Sequence, residues 1–218
     1  SSSRSLLERS LVARRNLLGN EHPEVALSEA VLGDLMRVAG NLATAETLLT
    51  QALATQEKSL GPEHLTVATT LTSLGTLYVA RGKYKEAEPL LERSLAIREK
   101  QLPPEHPDLG RSLNELGVLR WRQGKYSDAE ALLGRAITVW EKSRGPDHPH
   151  VARALNNLGI VMPNRGKPNA AVPLYQRAIA IYDKALGPEH PRVALTLNNL
   201  GLAFYGQKDY SAAAPLFE

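Results

Sequence analysis

Apolar residues recur along this chain at helical spacing. In residues 107–143, Leu109, Leu113, Leu116 and Leu119 form one stripe, and Ala129, Leu132, Leu133, Ala136 and Ile137 form a second. Such three- and four-residue intervals are what one face of an α-helix presents to a core. Gly124, between the stripes, suits a left-handed turn after the first helix. The run Pro103-Pro104-Glu105-His106-Pro107 ends the preceding segment, and Pro107 opens the next at a first-turn position that needs no amide hydrogen. No stretch alternates with a period of two, so no strand is predicted.

The pattern repeats. Gly33, Gly75, Gly117, Gly159 and Gly201 stand 42 residues apart, and His22, His64, His106, His148 and His190 keep the same step. So do Leu32, Leu74, Leu116, Leu158 and Leu200, and Ala45, Ala87, Ala129, Ala171 and Ala213. Four columns in register over five units define an internal repeat, each unit one helix pair. Glycine inside a helix costs about 1 kcal/mol against alanine. Its recurrence at Gly117 and its equivalents therefore predicts close helix–helix approach, with Ala129 and its equivalents as the small residues on the facing helix.

This predicts eleven helical segments in a single array over residues 1–218: a helix over 6–18, pairs over about 23–59, 65–101, 107–143 and 149–185, and a shortened pair over 191–218. Solenoids usually end in a unit with a polar outer face. Leu216-Phe217-Glu218 does not supply one, so the chain reads as part of a longer array, and Ser1-Ser2-Ser3 as a remnant of cloning or processing. The first unit is degenerate: Glu29 replaces the leucine of Leu71, and Leu42 the tyrosine of Tyr84. In the fourth unit Pro163 falls within the first helix and Pro168 replaces the tyrosine, so a bend or early helix end is expected around Met162-Pro163-Asn164.

The motifs NNLG (Asn156 to Gly159, Asn198 to Gly201), GKY (Gly82 to Tyr84, Gly124 to Tyr126), AEPLLERSLAIREK (Ala87 to Lys100) and GPEHP (Gly187 to Pro191) belong to a repeat that covers nearly the whole chain. They resemble the tetratricopeptide repeat, in the 42-residue variety of kinesin light chains and many bacterial repeat proteins. The Ala- and Arg-rich units look bacterial. The resemblance implies an all-α solenoid, a right-handed superhelix of antiparallel helix pairs whose first helices line a concave groove.

Projected onto such a groove, the first helices of the later units carry Arg111, Asn114, Trp121, Arg122, Arg153, Asn156, Asn198 and Tyr205. Asparagine is a mediocre helix former, yet it holds one position in three consecutive units. Its amide, donor and acceptor at once, suits gripping an extended peptide backbone, and the resemblance implies that role. The alternative is that Asn114, Asn156 and Asn198 bond neighbouring helices or are inherited by duplication. The arginines would receive acidic side chains or a terminal carboxylate, or are ordinary surface charge. Trp121 and Tyr205 would anchor apolar groups, or pack within the superhelix. Trp140, on a second helix, reads as structural.

Composition excludes more than it assigns. With apolar residues at 43% and charged residues at 22%, there is enough to bury for an ordered fold. A net charge of +3, from 26 basic and 23 acidic residues with no basic stripe along one helix, argues against nucleic acid. There is no cysteine and no apolar run of membrane-spanning length, and the chain reads as cytoplasmic. The histidines occupy equivalent loops, about 10 Å apart at ordinary helix spacing, too far to share a metal whose ligands sit about 2 Å from one point. The Asp/Glu-His-Pro run reads as a helix-start device instead. No catalytic motif or cofactor site is found.

The function expected is a non-catalytic scaffold for a protein or extended peptide, including an acidic one. The alternatives are a spacer or self-association arm, end to end through shortened ends, and an arm of a larger signalling protein with a catalytic domain elsewhere.

Overall fold

The computed structural model describes the backbone of residues 2–217 and the side chains of residues 4–217. Ser1 and Glu218, the two limits read from the sequence, lie outside them. Among the described residues there are eleven α-helices and no strand. The chain divides into two compact units, Ser1–Gln101 and Leu102–Glu218.

The first unit contains α1 (Ser2–Leu18), α2 (Pro23–Val38), α3 (Leu42–Leu60), α4 (Leu65–Ala80) and α5 (Tyr84–Gln101). Its core joins Leu11, Val25, Leu32, Met36, Leu49, Leu74 and Leu77, with Val67, Leu71 and Ile97 in a second cluster. The second unit contains α6 (Pro107–Arg122), α7 (Tyr126–Arg144), α8 (Pro149–Val161), α9 (Ala171–Leu186), α10 (Pro191–Gly206) and the short α11 (Tyr210–Ala213). Ala129, Leu133, Val161, Met162, Ala171, Tyr175 and Leu200 form a core there. Short turns between successive helices make each pair antiparallel.

Each histidine of the repeat column caps a helix. The Nδ1 of His22, His64, His106, His148 and His190 accepts the backbone N–H two residues on, at 3.1–3.2 Å. This satisfies one of the donors orphaned at a helix start. The acid before each of the first four histidines has its own task. Glu21, Glu63, Glu105 and Asp147 pair with Lys58, Lys100, Lys142 and Lys184, in the last turn of the second helix of the same unit. These exposed pairs are screened by water and add little to stability. Together they account for a loop sequence that otherwise resembles a metal-binding run. Among the described residues no group of three or more His, Asp or Glu could hold a metal ion, and no helix is long and apolar enough to cross a membrane.

The recurrent helical glycine marks close approach, with one correction. A Cβ on Gly117 would lie 2.8 Å from Leu133 Cγ, one on Gly75 2.7 Å from Leu91, and one on Gly159 2.5 Å from the Tyr175 ring. The residue met is thus the large one a turn beyond Ala129, not Ala129 itself, although Ala129 is fully buried. The alanine seats the helix, and the leucine or tyrosine fills the notch left by the glycine.

Pro163 ends α8 at Val161, and Met162–Arg165 continues as a 3₁₀ turn. Proline lacks the amide hydrogen and its ring opposes the preceding turn. Pro168 likewise opens a 3₁₀ turn, so α9 begins at Ala171, three residues later than α7 begins in its own unit. In the fifth unit, the turn occupied by Gly124 in the third carries Lys208, at φ 65°. A non-glycine residue there costs about 1–2 kcal/mol. Lys208→Gly should therefore raise the thermal midpoint, by a net amount near 1 kcal/mol after the added freedom of the unfolded chain. An unchanged or lower midpoint would mean that the lysine side chain compensates its own backbone strain.

Candidate peptide-binding face

All eight candidate residues lie on α6, α8 and α10, within the second unit. The asparagine column divides by environment. Asn114 is 1% exposed: its Nδ2 donates to Glu115 Oε1 at 3.1 Å and its Oδ1 accepts from Asn157 Nδ2 at 3.0 Å. Asn156 is 8% exposed and accepts from Asn199 Nδ2 at 2.9 Å. Each bond links one first helix to the next, α6 to α8 and α8 to α10. Asn114 and Asn156 thus connect neighbouring helices, while Asn198 is exposed and has no hydrogen-bond partner among the described residues. The amide nitrogen of Asn156 also lacks a protein acceptor there.

The donors Asn157 and Asn199 were not singled out from the sequence. The signal for them was the doublet itself, Asn156-Asn157 and Asn198-Asn199. Consecutive helical residues point about 100° apart, so in the first doublet Asn157 reaches back to α6 and Asn156 forward to α10, while in the second Asn199 reaches back to α8 and Asn198 is exposed.

The arginines differ in the same way. Arg122 is exposed and lies over Trp121, 4.4 Å from the ring centroid. Trp121 is half-buried against the core, so it both packs and shows a face. Arg111 is half-buried, and among the described residues it makes no ion pair or hydrogen bond. Arg153 lies 5.2 Å from the Trp140 ring, and its Nη1 is 3.3 Å from Glu115 Oε1. Tyr205 is 59% exposed and meets Tyr210 edge-on at 5.3 Å.

Behind this face Trp140 is fully buried and donates from Nε1 to Pro107 O at 3.0 Å. Against it lies His150, ring centroids 5.1 Å apart. Burial, and then the charges of Arg153, His148, Arg144 and Arg192, push the His150 imidazole down from 6.5 to about 4, so at neutral pH it is uncharged. Arg153 thus lies between a buried aromatic ring and the Glu115 carboxylate.

Helix pairs in 42-residue register, joined helix to helix by caps, amide bonds and interlocking glycines, define an α-helical repeat scaffold. The tetratricopeptide-repeat profile matches residues 32–100, 108–184 and 164–218. The chain belongs to the tetratricopeptide-repeat family. Among solved structures it is similar to a Podosopora anserina protein of kinesin light chain type with nearly identical TPR-like repeats, at 29% identity and TM-score 0.73 over 89% of this chain and 92% of that one. It also shares its fold with BtubC (BKLC) from P. vanneervenii, at 23% identity and TM-score 0.79 over 98% and 86% of the two chains. pilF of Pseudomonas aeruginosa aligns with TM-score 0.64 and 20% identity over 89% and 75%. No curated protein sequence matches significantly.

Proposed function

We propose that the chain is a non-catalytic scaffold that holds an extended, acidic peptide along the first helices of its second unit. The observation that carries this reading is the set of unspent groups on that face. Arg111 lacks an ion pair among the described residues, Arg122 is exposed over Trp121, and Asn198 is exposed and without a partner. Tyr205 adds an exposed aromatic ring on α10. Cations and amides that the fold does not consume are available to a ligand, and arginine over an aromatic plane suits carboxylates beside apolar groups. Membership in a repeat family that serves many partners gives the scaffold role but not the ligand.

The test uses a partner captured by pull-down and identified by mass spectrometry. Asn198→Ala and Arg122→Ala should each weaken binding roughly fivefold or more, from about 1–3 kcal/mol of lost hydrogen bonding to a charged or backbone group. Asn156→Ala should weaken it too, with loss of the α8–α10 bond as an added cost to stability. The arginine effect should shrink with salt. Lys142→Ala, whose side chain pairs with Glu105, is the control and should leave binding unchanged. Binding that survives the face substitutions but fails on a second-helix or loop substitution places the partner elsewhere.

A further inference from the structure

Glu115 is the sole acidic residue on this face beyond the first turn of α6. The helices α8 and α10 carry no Asp or Glu. At the position equivalent to Glu115 the other units have Val31, Ser73, Asn157 and Asn199. Asn114 Nδ2 holds the Glu115 carboxylate, which faces Arg153. The pairing is poor in geometry: one contact, Nη1 to Oε1 at 3.3 Å, and among the described residues no hydrogen bond from the Arg153 guanidinium. The Arg153 Nε is buried with no acceptor. A guanidinium offers five donors in a fork that matches a carboxylate two bonds at a time. Arg153 is thus charge-balanced by Glu115 but far from satisfied.

We propose that Glu115 limits the affinity of the face for acidic ligands, as an internal carboxylate that stands in for the ligand's own at Arg153. The inference rests on the peptide-binding reading above. A ligand carboxylate that meets Arg153 in two-bond geometry displaces Glu115, and the released side chain has a waiting partner in Arg111. That arginine lies one turn back on α6, at the i,i−4 position, and carries no ion pair among the described residues. A ligand with a neutral residue in this register finds Arg153 already neutralised and gains nothing. Glu115 therefore lowers the affinity for acidic ligands and leaves that for neutral ones unchanged.

The experiment compares the parent and Glu115→Gln by calorimetry at low salt, with acetylated, amidated hexaglutamate as probe and hexaglutamine as its neutral control. Glutamine keeps an oxygen for Asn114 but no charge. A second variant, Glu115→Asn, carries the residue of the following two units and guards against misfolding, which melting curves check. Both variants should bind hexaglutamate roughly fivefold more tightly than the parent, the strength of one displaced surface ion pair. Hexaglutamine affinity should not change. Asp183→Asn removes the same charge from the exposed side of α9 and should gain less than about twofold, since distant charges are screened. Adding Arg153→Lys to Glu115→Gln should erase the gain, because an ammonium cannot make the fork.

Equal binding by parent and Glu115 variants, no binding by any of them, or an equal gain from Asp183→Asn would each overturn the inference. The peptide-binding reading stands or falls separately, on Asn198→Ala and Arg122→Ala with the captured partner.

Discussion

Replacing Trp140 by alanine should destabilise the second unit by about 3–5 kcal/mol, the cost of emptying a buried aromatic site. The ring is fully buried, and its loss also removes the Nε1 hydrogen bond to the Pro107 carbonyl. The structure allows a sharper test than truncation. Opposite Trp140 stands Gly110, where the other units have Ala26, Ala68, Ala152 and Ala194. A Cβ on Gly110 would lie 2.6 Å from the indole Nε1 and 2.7 Å from Cε2. The indole is a rigid plane and cannot bend aside as an arginine or glutamine would. At the Trp140 position the other complete units have Gln56, Arg98 and Tyr182.

Gly110→Ala should therefore cost up to about 2 kcal/mol in the parent, overpacking of about 1–3 kcal/mol offset by the roughly 1 kcal/mol gained in helix propensity. In a Trp140→Gln background the same change recreates the Ala26–Gln56 combination and should be neutral or stabilising. The double-mutant cycle then reads a coupling above about 1 kcal/mol. Equal costs of Gly110→Ala in both backgrounds would mean that the glycine serves the backbone rather than the tryptophan.

That pair shows what the sequence does and does not disclose. The helix pairs, the proline stop in α8 and the histidine start device are all local or periodic. Each depends on a residue's own backbone or on neighbours within a turn, so each is legible in one unit and reinforced by the others. Lateral contacts are not. Gly117 announces a close approach, but Ala129 and Leu133 lie on the same face of α7, and only coordinates decide that Leu133 enters the notch. The asparagine column was visible as a column. Which neighbouring helix each amide of a doublet joins depends on the angle between helices, and no single unit encodes that. Glu115 was obscured for the opposite reason: it breaks its column, and a search for regularity passes over the residue that departs from it.

The departure at His150 sets the second large expectation, that the second unit loses stability steeply on mild acidification. Its column otherwise holds Glu24, Thr66, Asp108 and Arg192. In the fold the ring lies against Trp140 and His148, with Arg153, Arg144 and Arg192 contributing positive charge around it. Burial first, then these cations, hold its pKa at about 4 against 6.5. Burial and Arg144 also lower that of His148, with only the direction resolved. Between these limits the unfolded chain binds more protons than the folded one, so unfolding becomes easier as pH falls. The contribution of His150 is complete above about pH 6.5, declines down to about pH 4, and is gone below that. Discounted for the water that reaches a half-buried ring, it amounts to on the order of 2 kcal/mol, or roughly 10 °C in the midpoint of a unit this size. His150→Thr, which takes the residue that Thr66 supplies in the second repeat, should remove most of that slope and leave the part due to His148. A parent and variant whose midpoints fall in parallel between about pH 7 and pH 4.5 would place the acid sensitivity in other groups, since only a proton taken up by unfolded His150 can separate the two curves across that window.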